Sequence, residues 1–179
     1  MAKLDLEDRF DRFARQLPGA EAIDDLAEAK EATGQRADYL WRDRTVIVEL
    51  KTLTADPQAK IDQVFSELSE RPDFPVFVGP APMDKVLHHV PDGDEISRKV
   101  GQKVMRSVES AFRSAKQQII NSRAMFGCPD ALGLMVLLNQ DIETLEPQDL
   151  VHELSRLMEH RQGETRGIDA VLVLTEAHR

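Results

Sequence analysis

Cysteine is almost absent from this 179-residue chain, in which Cys128 is the single thiol. An intrachain disulfide is therefore impossible, and a zinc site built from several cysteines is excluded. Aromatic residues make up 5% of the chain, so the composition does not indicate the aromatic platforms on which single-stranded bases stack. The composition thus disfavours three classes of protein: small domains stabilised by disulfides, zinc fingers, and proteins that bind single strands by base stacking.

Long apolar stretches are also missing. The longest run, at 132–138, includes a glycine and is far shorter than the ~20 residues that a membrane helix needs. Segment 1–11 has no positively charged stretch followed by an apolar one, so we expect neither a membrane span nor a secretory signal. The cytoplasm is the simplest compartment.

The charge balance is acidic, with 23 Lys and Arg against 32 Asp and Glu and a formal net charge of −9. A chain of this length can bury one core, which predicts a single domain over 1–179. Its net charge argues against wholesale binding of a polyanion. If nucleic acid is a partner, the basic residues must be gathered on one face.

The hydrophobic periodicity predicts a mixed α/β protein. Helices are expected at 4–17, 57–70, 95–125 and 147–161, and strands at 37–41, 45–53, 132–138 and 168–174. Stretch 20–33 is ambiguous, because its Ala, Glu and Lys content favours a helix while 20–26 could form an edge strand. The proline-rich segment 71–94 is expected to be a long loop that could contain a short strand at 74–78.

The segment most informative about chemistry is 36–52, which reads RADYLWRDRTVIVELKT. Side chains alternate along a strand, so Glu49 and Lys51 share one face while Val46, Val48 and Leu50 form the apolar face. A tight hairpin would bring Asp38 within reach of Glu49. These two carboxylates and the backbone carbonyl of Leu50 suit Mg²⁺.

Such a metal would polarise a phosphate oxygen and lower the pKa of a bound water, while Lys51 would hold the attacking water or offset developing charge. The alternative is an exposed strand face with a Glu–Lys pair that contributes ~0.2–1 kcal/mol.

An Asp followed after ten residues by Glu-x-Lys on an apolar strand resembles the PD-(D/E)XK nuclease superfamily, which has the restriction-endonuclease-like fold. The resemblance implies Asp38 and Glu49 as metal ligands and Lys51 as the catalytic lysine; Ala37 stands where the superfamily commonly has proline. It implies an α–β–β–β–α–β core over Leu4–Asn139, with a mixed sheet and flanking helices, if 20–26 is the first strand. Segment 71–95 would then be a loop insertion, and 147–179 a C-terminal helix and strand extension.

The predicted helix at 95–125 carries a basic stripe. At ~100° per residue, its basic side chains fall within about 40° of one line, and Gln117 returns to the same face. A stripe of this kind suits phosphates, although an ordinary solvated helix face is an alternative. The stripe consists of Lys99, Lys103, Arg106 and Arg113, and the apolar residues opposite are Val104, Val108, Ala111, Ala115 and Ile119.

The resemblance implies two further site residues. Members of the superfamily often place a polar residue on the helix after the Glu-x-Lys strand, for which Gln117 is the catalytic candidate and Lys116 its competitor. They often add an acidic residue from the first helix. Glu7 is the candidate here, with Glu28 and Glu31 competing if 20–33 is helical.

The resemblance thus implies a nuclease, endo- or exonucleolytic, that hydrolyses phosphodiester bonds of DNA with Mg²⁺ or Mn²⁺. One alternative is the same fold with an unused site that binds nucleic acid or a protein partner, and another is an unrelated α/β interaction domain. By analogy with nucleases that cut two strands, a homodimer is possible, with 71–94 and the final helix as candidate contacts.

Overall fold

A computed structural model describes residues 4–31, 34–74, 83–159 and 167–178. The chain divides into two compact units, one formed by Met1–Thr54 with Val108–Arg179 and the other by Ala55–Ser107. The first unit holds the β-sheet and the Asp38–Lys51 hairpin. The second unit is helical in its described residues.

The helices and strands follow the predicted order. They are α1 Leu6–Ala14, β1 Glu21–Ala22, a 3₁₀ turn Ile23–Asp25, α2 Ala27–Glu31, β2 Tyr39–Trp41, β3 Val46–Thr52, α3 Gln58–Ser69, α4 Met83–Leu87, α5 Gly93–Met125, β4 Leu132–Asn139, α6 Pro147–Glu159 and β5 Ala170–Thr175. The four predicted helices and four predicted strands are confirmed. The ambiguous stretch 20–33 begins as a strand and continues as a helix, so both interpretations of it were partly right.

The first unit contains a five-stranded mixed sheet with the strand order β1-β2-β3-β4-β5. Strand β2 runs antiparallel to β1 and β3, whereas β3, β4 and β5 are parallel. This confirms the mixed α/β class. Helix α6 provides the connection that parallel β4 and β5 require, so the segment predicted as an extension contributes the fifth strand of the main sheet.

Helices cover both faces of this sheet. On one face, Phe10 and Ala14 of α1 pack with Val48 and Val136. Asp5 begins α1 by accepting a hydrogen bond from the Asp8 N–H, which satisfies one of the free N–H groups at the helix start.

Helix α5 covers the other face, where its Ile119, together with Phe126 immediately after the helix, packs with Leu40 and Ile47. The face carrying Glu49 is therefore inside the protein, and Glu49 is 1% exposed. This excludes the alternative of an exposed strand face for Glu49.

The hairpin turn differs from the glycine-containing turns that sequence rules favour. Arg42, Asp43 and Arg44 all have positive φ, at 52°, 54° and 65°, in a region that non-glycine residues seldom occupy. Thr45 supports the turn, because its N–H and Oγ1 both donate to the Arg42 carbonyl. The turn sets the pairing of β2 with β3 and hence the geometry of the site.

In the second unit, the segment predicted as a loop insertion at 71–95 is partly helical. It contains α4 and the first residues of α5. Arg71 holds the described parts together through ion pairs with Asp73 and Asp92, at 2.7 and 2.9 Å. The predicted strand at 74–78 lies outside the described residues, apart from Phe74.

Candidate functional site

The pairing of β2 with β3 determines where Asp38 lies. Tyr39 is the partner of Val48 in the last pair of β2 with β3, so Asp38 lies immediately before the paired residues. The Asp38 N–H donates to the Val48 carbonyl at 3.1 Å, whereas the Asp38 carbonyl accepts from the Ile23 N–H on the opposite edge at 2.9 Å. The backbone at Asp38 therefore departs from the regular pairing of β2 with β3. The side chains of Asp38 and Glu49 are close enough to affect each other's ionisation, so the structure brings together the two carboxyls that the sequence predicted as metal ligands.

Asp38 is fixed by the backbone of the next strand. The Leu50 N–H donates to its Oδ2 atom at 2.6 Å. In an extended strand the N–H and C=O of a residue point to the same edge, so the Leu50 carbonyl is directed to the edge on which Asp38 lies. Two carboxylates and one backbone carbonyl are therefore available at this position.

Burial makes both carboxyls costly to ionise. Burial, followed by repulsion from Asp38, raises the pKa of Glu49 to about 8, against the attraction of Lys51. Burial also raises the pKa of Asp38, against the hydrogen bond from Leu50 and the charge of Lys51. The carboxyls lie close enough for the charge of Asp38 to oppose ionisation of Glu49.

The buried Oε2 atom of Glu49 has no hydrogen-bond partner among the described residues. A buried carboxylate oxygen without a donor is costly, and a cation beside Asp38 would relieve that cost.

Lys51 is held by two acceptors. Its Nζ atom lies 2.6 Å from Glu49 Oε1 and donates to Gln118 Oε1 at 2.7 Å. An ammonium has three donors, so one N–H remains for a further acceptor. The side chain is 22% exposed, which leaves that donor within reach of solvent or a ligand.

Gln118 of α5 orients Lys51, and the sequence analysis missed it. Its Nε2 donates to the Arg36 carbonyl at 2.8 Å, while its Oε1 accepts from both Lys51 and Ser114. Because the Arg36 carbonyl can only accept, the amide oxygen must face Lys51. The sequence gives the position of each residue around α5, but it does not give the rotation of α5 relative to the sheet, and this rotation decides which polar side chain lies over Lys51.

The structure places Gln117, the predicted catalytic residue, elsewhere. Gln117 is exposed and donates to Asn121 at 2.8 Å. It is one position, or about 100°, away from Gln118 around the helix. The side chain of Lys116, the other candidate, packs against the backbone of Gly167. The contact is so close that a Cβ atom added to Gly167 would lie 2.4 Å from Lys116 Cγ.

An acidic cleft of about 300 Å³ borders Asp38 and Leu50. The Tyr39 hydroxyl donates to Asp11 Oδ1 at 2.7 Å, and both residues line the cleft. Burial acts to raise the pKa of Asp11, but the hydrogen bonds from Tyr39 and Arg15 outweigh it and lower that pKa. The ionisable residues that line the cleft are Glu7, Asp8, Asp11, Arg15, Asp24, Asp38 and Tyr39. Four further carboxylates thus surround the approach to Asp38.

Of the predicted helix acids, Glu7 lies in this cleft and accepts a hydrogen bond from Thr52 Oγ1 at 2.6 Å. Glu28 instead pairs with Arg44 at 2.7 Å. The side chain of Glu31 lies outside the described residues.

The four residues of the basic stripe are all exposed on α5. Lys99 pairs with Glu95 at 2.7 Å, and Arg113 pairs with Glu109 at 3.4 Å. Within the described ranges, Lys103 and Arg106 have no ion-pair partner. Lys99, Lys103 and Arg106 belong to the second unit and Arg113 to the first.

The donor set fits a hard cation that retains water. Among residues 4–31, 34–74, 83–159 and 167–178, no three His, Cys, Asp or Glu side chains form a metal cage. Mg²⁺ is commonly bound by one or two carboxylates and keeps several waters. Asp38, Glu49 and the Leu50 carbonyl, with the unpartnered Oε2 atom, meet that requirement.

Comparisons with protein-family models, curated proteins and solved structures found no match. In the described part of the chain, no helix has the length and apolar character needed to cross a membrane. The functional argument therefore depends on the chemistry of the residues.

Proposed function

We propose that this protein is a Mg²⁺- or Mn²⁺-dependent nuclease of the PD-(D/E)XK type that hydrolyses phosphodiester bonds of DNA. The observation that carries the proposal is the contact of Glu49 with both Asp38 and Lys51 at a buried position. The order α1–β1–β2–β3–α5–β4 supports a restriction-endonuclease-like fold, because it corresponds to the α–β–β–β–α–β core of that superfamily.

Asp38, Glu49 and the Leu50 carbonyl would hold the metal. When bound, the ion supplies a Lewis acid that polarises a phosphate oxygen and lowers the pKa of a water ligand. The unpartnered Oε2 atom of Glu49 favours a cation at this position. Both carboxyls must be ionised to bind the ion, and burial raises the pKa of Glu49 to about 8 in the protein without metal.

Lys51 has the donor needed at the reacting phosphate. Glu49 and Gln118 occupy two of its three N–H groups, so the third can donate to the attacking water or to a phosphate oxygen that gains charge. Gln118 is a positioning residue that acts through Lys51. It corresponds to the polar residue that the superfamily often places on this helix.

The acidic cleft makes a cation necessary for phosphate binding. Glu7, Asp8, Asp11 and Asp24 repel a polyanion that approaches Asp38. Binding energy for DNA must then come from the metal and from basic groups elsewhere, for which exposed Lys103 and Arg106 are the candidates. We infer that they contact backbone phosphates and carry no base specificity.

A cleavage assay tests the proposal. Duplex, single-stranded and branched DNA, and RNA, are incubated with Mg²⁺, Mn²⁺ or EDTA and with the variants Asp38→Asn and Glu49→Gln. Glu143→Gln, at an exposed position outside the site, is the matched control. We expect metal-dependent DNA cleavage that both site variants abolish and the control retains.

The other outcomes distinguish the alternatives. DNA or protein binding without cleavage would identify a nuclease-like domain with an unused site. Neither binding nor cleavage would indicate an unrelated α/β interaction domain, and cleavage that survives in both site variants would refute the assignment of the site.

A further inference from the structure

Strand β5 forms an unprotected edge of the sheet. No strand pairs with its outer side in the part of the chain that the structure describes. Its sequence, AVLVLT, has no charge and no proline, and Leu172 is 42% exposed. Proteins usually blunt such edges with charges, proline or bulges, so a six-residue apolar edge without them indicates a pairing surface.

The hydrogen-bond pattern identifies which groups of β5 are free. The Leu53 N–H donates to the Leu138 carbonyl, so even-numbered residues of β4 point to β3 and odd-numbered ones to β5. Met135 is the partner of Val171. In a parallel ladder a residue bonds to the two neighbours of its partner, so Met135 bonds to Ala170 and Leu172. Val171 and Val173 therefore direct their N–H and C=O groups to the free edge.

We propose that β5 pairs antiparallel with β5 of a second copy of this chain, about a two-fold axis at Leu172. A two-fold interface requires a strand that complements its own reverse, and V171-L172-V173 reads the same in both directions. In this register Val171 stands opposite Val173 of the partner subunit, and each exchanges its free N–H and C=O groups. Residues of equal parity face each other, so each side of the joined sheet remains continuous.

The charges next to β5 are compatible with this register. Asp169 stands opposite Thr175 of the partner subunit, and Glu176 opposite Ile168 of the partner subunit, so no two carboxylates face each other. Each acid is also neutralised within its own chain, Asp169 by Arg123 at 3.1 Å and Glu176 by Arg9 at 2.6 Å. The proposal is independent of the nuclease proposal.

Sedimentation equilibrium of the full chain tests the interface, at protein concentrations from about 1 to 100 μM because dimers dissociate on dilution. The expected mass is about twice the 20.2 kDa of one chain. Leu172→Lys should weaken the dimer at least ~10-fold, because it places two ammonium groups directly opposite each other. Leu132→Lys is the matched control, since Leu132 is 46% exposed on the same sheet face but lies on a strand paired on both sides.

Val173→Pro provides a second test at the backbone. Proline there removes an N–H that points to the free edge, so the variant should fold, with unchanged circular dichroism, and sediment as a monomer. A wild-type chain that is monomeric at every concentration would overturn the proposal. It would also be overturned by a dimer that Leu172→Lys and Val173→Pro leave intact, or that Leu132→Lys weakens equally.

Discussion

The Nζ atom of Lys51 lies 2.6 Å from the Oε1 atom of Glu49, whose side chain is 1% exposed. An exposed pair of this kind would contribute little to stability. Inside the protein, removal of one member leaves a buried polar group without its partner, which is costly, and above the pKa of about 8 for Glu49 that group carries an uncompensated charge. A sheet has little structural reason to keep such a pair, and this agrees with a role in binding or catalysis.

Lys51→Ala should lower kcat for DNA cleavage by ~10²–10³ with little change in substrate affinity, if the ammonium stabilises charge that develops in the transition state. Single-turnover kinetics and a binding titration in Ca²⁺ would separate the two effects. Unchanged cleavage in both this variant and Glu49→Gln would assign the activity to a contaminant or another site.

Gln118→Leu should lower kcat ~10-fold, because Lys51 and the Arg36 carbonyl each lose a hydrogen bond and the ammonium loses its fixed orientation. Gln117→Leu is a matched control one position along the same helix, and we expect its rate to equal that of the wild type. Equal losses in the two variants would show that Gln118 does not act through Lys51.

The free energy of unfolding should fall as the pH rises from about 4.5 to about 8 in the absence of metal. Across this range the folded protein holds a proton on Glu49 that the unfolded chain has released, so unfolding releases a proton and becomes easier as the pH increases. The slope from this group is at most ~1.4 kcal/mol per pH unit and disappears above pH ~8.

Glu49→Gln removes this titrating group. Urea denaturation across that range should therefore give the variant a shallower pH dependence than the wild type and a relative gain in stability that grows towards pH ~8. Glu143→Gln should follow the wild type. Parallel curves for wild type and Glu49→Gln would mean that Glu49 is ionised throughout.

Reversal of Lys103 and Arg106 to Glu should weaken DNA binding alike for all sequences. Each lost phosphate contact should reduce the log–log salt slope by about 0.9 on duplex DNA. Reversal of Lys30 and Lys60, which are exposed on α2 and α3, makes the same change in net charge and should have a smaller effect. If the two double variants bind equally, the stripe is a solvated helix face.

Two glycine-to-alanine substitutions should have opposite effects on stability. A Cβ at Gly133 would lie 2.0 Å from the Gly167 carbonyl oxygen, whereas one at Gly101 would meet nothing within 4 Å. We expect Gly133→Ala to destabilise by ~1–3 kcal/mol and Gly101→Ala, in the middle of α5, to stabilise by ~0.5–1 kcal/mol. Thermal denaturation of the two variants should show a lower melting temperature than the wild type for Gly133→Ala and a higher one for Gly101→Ala.

Local sequence patterns predicted most of the elements. The alternation in 45–53 and the periodicity of 95–125 are strong signals because a strand repeats its side-chain direction every two residues and a helix every 3.6. The turn at Arg42–Arg44 is different. Its left-handed backbone has no glycine signal, and Thr45 and the strand pairing stabilise it after the chain has folded.

The sequence alone determined that Glu49 and Lys51 share a strand face and that Asp38 can reach them, because the period of a strand and the length of the hairpin are local properties. Tertiary structure decided that this face is buried, since α5 covers it although it follows β3 by some 40 residues. It also decided that Gln118 rather than Gln117 meets Lys51, because the rotation of a helix against a sheet depends on the packing of both elements. Burial under α5 gives Glu49 its raised pKa and its unpartnered oxygen, and neither property is encoded within the hairpin.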